Sequence, residues 1–217
     1  MEARFWHDRW SRNDIAFHAP EVHPLLVQHV AALALTPGQR VFVPLCGKSL
    51  DLSWLLARGQ RVIGCELDHS AVEQLFADLA LVPVVTTVGT LRRYRAGAIE
   101  VLVGDVFEIE PDMLGEIAAV YDRGALVALP DAGSEGMRTR YAVHLATITA
   151  NAPQLVISYV YDQQRQAGPP FAVDAAMLSR YYGADYELAQ VGGASVPGGL
   201  KGICPAEEQV WLLRPRT

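Results

Sequence analysis

The sequence predicts a doubly wound α/β fold with a sheet of about seven strands, mainly parallel, and one antiparallel strand near the C-terminus. Two observations carry this. Short β-branched runs alternate with stretches of helical period, the pattern of βαβ units. The last two strand-like runs, "YELAQVG" and "EEQVWLLRP", have no helix between them, so they must pair as a hairpin, which turns one strand antiparallel.

In chain order, an aromatic N-terminus is followed by "PEVHPLLVQHVAALAL", where Leu26, Val30 and Leu33 recur at helical spacing. "TPG" at 36–38 breaks that helix. "RVFVPL" is a buried first strand, residues 48–58 are helical up to Gly59, and "RVIGCEL" is a second strand. "DHSAVEQLFADLAL" places Val72, Leu75, Phe76 and Leu79 on one helix face. Residues 91–104 form a hairpin or edge pair turning at Ala96–Gly97, with "IEVLVGD" its stronger half. "IAAVYD" and "QLVISYVY" are the fourth and fifth strands; helices are predicted over 134–150 and in "VDAAMLSRYYG".

Composition narrows the function classes. The chain has 217 residues, 51% apolar and 19% charged, enough for a core and against disorder. With 18 basic and 24 acidic residues the net charge is −6, which argues against nucleic acid as the main partner. No apolar run is long enough for a membrane span, and "MEARFWHDRW" lacks the apolar centre of a signal peptide. Cys46, Cys65 and Cys204 are too few and too scattered for a disulfide framework or a CxxC metal pair. A cytoplasmic monomer is expected. No repeat or linker divides the chain, so 1–217 reads as one domain with 1–35 as a helical, aromatic extension.

In such sheets ligands bind beyond the carboxyl ends of the strands. The loop after the first strand, "PLCGKS", lies there. Gly47, Lys48 and Ser49 match the end of a P-loop, and Asp122 imitates its magnesium-binding acid. But the first P-loop glycine would fall at residue 42, which is Phe, and a Phe inside a strand cannot wrap backbone N–H groups around a phosphate. The three-glycine dinucleotide pattern fails as well. The second strand ends "GCELD", with Glu66 nineteen positions after Gly47. An acid there commonly binds ribose hydroxyls, and a ribose acid without a phosphate loop suggests a nucleoside ligand such as S-adenosylmethionine. The competing reading makes Glu66 a capping carboxylate for the helix near His69. Asp105 and Val106, after the third strong strand, could hold an adenine amine and cover the ring; an ordinary turn acid is the alternative.

Five blocks in order, "FWHDRWSRNDIAFH", "RVFVPLCGKSLDLSWL", "VIGCELD", "YDRGALVALP" and "GPPF", resemble the thiopurine S-methyltransferase family in its bacterial form. The resemblance implies a class I methyltransferase fold with S-adenosylmethionine as methyl donor and a small thiol, or a selenium or tellurium compound, as acceptor. It also implies that Trp10, Leu45, Glu66, Asp105, Val106 and Arg123 contact the cofactor or line its pocket, and that Phe17 lies near the acceptor. Animal members carry a longer charged segment before the last strand; here it is the glycine-rich "VGGASVPGGLKGI", with Lys201 its one basic residue.

Arg123 could pair with the methionine carboxylate, with an anionic acceptor, or only with a surface acid. Phe5, Trp6, Trp10 and Phe17 could be core or a lid, and aromatic faces suit a sulfonium cation. His7, His18, His23 and His29 have no partner pattern for a metal. Cys46 has no histidine spaced to activate it as a nucleophile. The function the resemblance implies is S-methylation of aromatic or heterocyclic thiols, with Arg123 and Phe17 positioning the acceptor and no covalent enzyme intermediate. From another class, a non-catalytic S-adenosylmethionine or nucleoside binder would carry the same loop.

Overall fold

The computed structural model describes residues 3–15, 18–131 and 136–216. Among them the helices are α1 (Ala3–Ser11), α2 (Pro24–His29), α3 (Leu50–Ala57), α4 (His69–Asp78), α5 (Pro111–Leu114), α6 (Met137–Ile148) and α7 (Ala175–Tyr182). The strands are β1 (Arg40–Val43), β2 (Arg61–Glu66), β3 (Val84–Val88), β4 (Leu91–Ala96), β5 (Ile99–Val103), β6 (Ala119–Arg123), β7 (Gln154–Tyr161), β8 (Tyr186–Ser195) and β9 (Ala206–Pro215).

The strands form one sheet in the order β3-β4-β5-β2-β1-β6-β7-β9-β8. The five central strands, β5 to β7, are parallel. β9 runs against both β7 and β8, which is the antiparallel C-terminal hairpin the sequence predicts. The described residues hold nine strands rather than about seven. The two beyond that count lie at one edge: β4 pairs antiparallel with β5 as the hairpin expected over 91–104, and β3 pairs with β4. β3 escapes pattern reading because it has a partner on one side only and almost all of it is exposed, so no period-2 burial shapes "VVTTV". The helix predicted within 20–35 is realised as α2 followed by a 3₁₀ turn, Val30–Leu33. The predicted 134–150 helix ends at Ile148.

Alternation along the central strands builds two cores. Phe42, Ile63, Leu102, Val120 and Val156 face one way and pack with Tyr141 and Leu145 of α6 and Leu178 of α7. Val41, Val62, Val101, Tyr121 and Leu155 face the other way and meet Leu26, Leu52, Leu55, Val72 and Phe76 of α2, α3 and α4. Burying each of these leucines or phenylalanines is worth about 1.5–3 kcal/mol relative to exposure. The strand order reverses between β1 and β6, so their carboxyl ends open the crevice where a ligand can enter.

Candidate active site

The loop after β1 is shaped for close approach. Leu45 has φ +47° and Gly47 φ +52°. Left-handed backbone costs a side chain with a Cβ, and a Cβ on Gly47 would also sit 3.3 Å from the Trp10 indole. Glycine is therefore required where the N-terminal helix crosses the loop. Trp10 is buried there, and Cys46 N–H bonds Cys65 O at 2.9 Å, holding the loop alongside β2. Ser49 caps α3, its hydroxyl accepting from Asp51 N–H. Nothing here is a P-loop: Phe42 is fully buried in β1 and Lys48 lies 3.7 Å from Asp78.

Glu66 binds the loop. Its Oε2 accepts Gly47 N–H at 2.8 Å and its Oε1 accepts Asp68 N–H at 2.9 Å. Burial pushes its pKa up, and the N–H groups of Asp68, Gly47 and Leu67 oppose that by favouring the carboxylate. The helix-capping alternative belongs to another residue: Asp68 is the N-cap of α4, accepting from Ser70 N–H at 2.9 Å. Asp68 also meets His7 Nδ1 at 2.7 Å, so α1 is tethered beside Glu66. Gly104 N–H donates to Glu66 O, bringing Asp105 and Val106 next to it. Val106 is buried. Asp105 is exposed, and its Oδ1 accepts Phe107 N–H at 3.0 Å, the turn geometry of the alternative reading. Trp10, Leu45, Glu66, Asp105 and Val106 thus form one group around the ends of β1, β2 and β5.

Arg123 lies apart from that group, across β1 at the end of β6, and is half-buried. Among the described residues it forms no ion pair within 4 Å. Burial, then Lys48 and Arg123, hold His18 below the usual imidazole pKa against the opposing charge of Asp78. Phe17 lies outside the described residues. The "GPPF" block is laid against the chain beyond Arg123: Phe171 N–H donates to Val127 O at 2.7 Å and Pro170 O accepts Tyr161 OH at 2.6 Å.

Sequence reasoning missed several buried polar groups. Asp51 accepts from His23 N–H at 2.8 Å and from Tyr121 OH at 2.9 Å. The signal was present: Asp51 and Leu55 are four apart, so the acid lies on the buried face of α3. His23 Nε2 meets Glu208 Oε1 at 3.1 Å, a pairing over 185 residues that no local pattern announces.

Asp122, the imitation magnesium acid, is fully buried and faces away from the crevice, accepting from Leu126 N–H and Tyr141 OH. Burial raises its pKa from 3.8 to about 6. A raised carboxyl pKa means the folded state binds the proton more tightly than the unfolded chain. Stability linked to Asp122 is then present below about pH 4 and falls as pH rises through 6, by on the order of 3 kcal/mol. Urea unfolding at several pH values should show Asp122→Asn gaining on the wild type across that window. A constant difference between the two proteins would show that Asp122 titrates normally.

Solved structures share this fold. A methyltransferase from Anabaena variabilis, described as S-adenosylmethionine-dependent, superposes with TM-score 0.62 at 15% identity, covering 98% of this chain and 95% of that one. The 1,6-didemethyltoxoflavin N1-methyltransferase of Burkholderia thailandensis, solved with S-adenosylhomocysteine, gives 0.62 at 14%, covering 99% and 87%. At such identities the likeness establishes the fold, that of the class I methyltransferases.

The sequence establishes the family. It matches the thiopurine S-methyltransferase model over residues 1–214. It is 51% identical to a thiopurine S-methyltransferase of Xanthobacter autotrophicus, covering 98% of this chain and 99% of the relative. With one from Gluconobacter oxydans the identity is 46%, with 98% and 95% covered. The chain belongs to the thiopurine S-methyltransferase family and is an S-adenosylmethionine-dependent methyltransferase, with S-adenosylmethionine as methyl donor. Among the described residues no helix is long and apolar enough to cross a membrane.

Proposed function

We propose that the protein methylates the sulfur of aromatic or heterocyclic thiols of the thiopurine type, and that selenium and tellurium compounds also serve as acceptors. The observation that carries this is Arg123: a half-buried guanidinium at the mouth of the crevice with no ion-pair partner among the described residues. Such a group suits a small anion. The names of the relatives support the same chemistry. The three free thiols, all buried, support a reducing, cytoplasmic setting.

The cofactor-binding half fits its ligand. A carboxylate offers about four acceptor positions, and each oxygen of Glu66 takes one short backbone bond, leaving room for ribose hydroxyls. Asp105 and Val106 would meet the adenine, and Leu45 and Trp10 would line the pocket. The donor supplies an activated methyl on a sulfonium. When bound, that methyl would pass in line to the acceptor thiolate, the donor's carbon–sulfur bond breaking with its electron pair left on the donor sulfur. The negative charge of the acceptor and the positive charge of the donor vanish together. Alignment and exclusion of water therefore matter more than stabilising new charge. Arg123 and Phe17 would position the acceptor, Arg123 by keeping it anionic, so no general base is required.

Arg123→Lys tests this. Lysine keeps the charge but loses the two-pronged planar geometry, so the bound thiolate is less stabilised and its apparent pKa rises. The acidic limb of the kcat–pH profile should move to higher pH, and near neutral pH turnover of a less acidic thiol should fall more than that of an acidic one, which stays ionised in either protein. Parallel losses for both thiols with an unmoved limb would leave Arg123 as a cofactor ligand.

A further inference from the structure

Glu208 lies on the last strand, far in sequence from every residue assigned to the site. Strand register brings it there. Arg123 of β6 pairs with Ile157 of β7, Ile157 pairs with Val210 of β9, and Tyr159 pairs with Glu208. Paired residues project from the same face, and so do residues two apart. Arg123, Ile157, Tyr159, Val210 and Glu208 therefore share one face, the one covered by α2. Because β9 is antiparallel, Glu208 near its start stands at the carboxyl ends of the parallel strands, level with Arg123.

The Glu208 carboxylate is held by His23 and makes no ion pair with Arg123 within 4 Å. His23 Nε2 meets its Oε1 at 3.1 Å, and His23 is itself buried, with its backbone N–H fixed on Asp51. The side chain of Glu208 is 16% exposed. Arg123 and Glu208 feel one another's charge without forming an ion pair: the carboxyl pKa is lowered by His23, Tyr159 and Arg123 against the cost of burial. The Tyr159 phenol is pushed upward by burial and by Glu208. An acid free to swing would clamp Arg123 and block an anionic acceptor. One anchored by histidine leaves the guanidinium open and moderates its charge.

We propose that Glu208 is a positioning residue for methyl transfer, that His23 holds it off Arg123, and that this pair sets how strongly Arg123 binds the acceptor anion. The inference rests on the acceptor role proposed for Arg123. The charged and titratable groups facing the two are His18 from the segment after α1, with Lys48 and Asp78 behind it, His23 and Asp51, Tyr121 on β6 and Tyr159 on β7.

The two anchored partners then act in opposite senses. Glu208→Gln removes the moderating negative charge. Its S-adenosylhomocysteine complex should bind an arenethiolate about three- to tenfold more tightly, the scale of a partly screened charge pair. The acidic limb of its kcat–pH profile should move down. His23→Leu removes the histidine bond, leaving Tyr159 as the carboxylate's remaining partner, and lets Glu208 close on Arg123, which should weaken arenethiolate binding and move the limb up. The double variant should follow Glu208→Gln, because freeing an uncharged side chain does nothing to Arg123, and Glu208→Asp should restore part of the wild-type profile. A merely structural role would lower stability and kcat in all variants and leave the limb in place. The measurements are calorimetric binding of 4-nitrothiophenolate to the S-adenosylhomocysteine complex and kcat against pH. Shifts of the same sign in both single variants, or no shift, overturn the proposal, as does a wild-type complex that binds no arenethiolate. Binding with opposite shifts but no turnover of any thiol would reject the thiol acceptor reading and leave the Glu208 assignment standing.

Discussion

Removing residues 1–17 is expected to leave a folded sheet and lower methyl transfer about a hundredfold or more, the scale attached to alignment and exclusion of water. The two cores flanking the sheet are built from Leu25 onward, so the truncated chain keeps its main source of stability. What it loses is α1, which packs on the loop at Gly47. Trp10 is 5% exposed and stands against Gly47, and His7 ties α1 to Asp68 beside Glu66. Without them the loop at Gly47 faces water. Far-ultraviolet circular dichroism should lose only the contribution of α1 while turnover collapses. In the intact protein, amide exchange across α1 should slow when S-adenosylhomocysteine is added. Full activity in the truncated chain would show that these aromatics are not a lid.

Glu66→Ala is the second large effect. It removes the acceptor proposed for the ribose hydroxyls and also releases Gly47 N–H and Asp68 N–H, which are anchored on the two carboxylate oxygens. S-adenosylhomocysteine binding should weaken by about 1.5–3 kcal/mol, the range for hydrogen bonds to a charged group, or roughly ten- to a hundredfold in Kd. Glu66→Gln keeps one acceptor oxygen and should lose less. Calorimetry on the three proteins, with urea unfolding as a control, separates the ligand bond from the loop anchor. If Glu66→Ala loses stability but keeps its affinity, the carboxylate belongs to the loop alone. Tight binding of magnesium–ATP by the wild type, in place of the cofactor product, would restore the P-loop reading.

The parts of the site legible in the sequence are those set by neighbours along the chain. Gly47 and Glu66 could be read because a strand, a tight loop and a strand-end acid recur at fixed spacing, and their geometry is local to two adjacent parallel strands. The helix face of α4 was legible because burial follows helical period. β3 was not, since its exposed edge imposes no alternation.

By itself the sequence determined the doubly wound order, the rejection of a phosphate loop and the resemblance to a methyltransferase family, because each depends on short-range pattern or on residue type at a known spacing. Only the tertiary structure decided which side chains meet across the crevice. Glu208 reaches Arg123's face through the register of β6, β7 and β9, and meets His23 across 185 residues. Asp122 and Arg123 are adjacent, yet one is buried against Tyr141 and the other lines the opposite face. A strand sends successive side chains to opposite sides, but which side becomes core and which becomes crevice depends on what the rest of the chain lays over it.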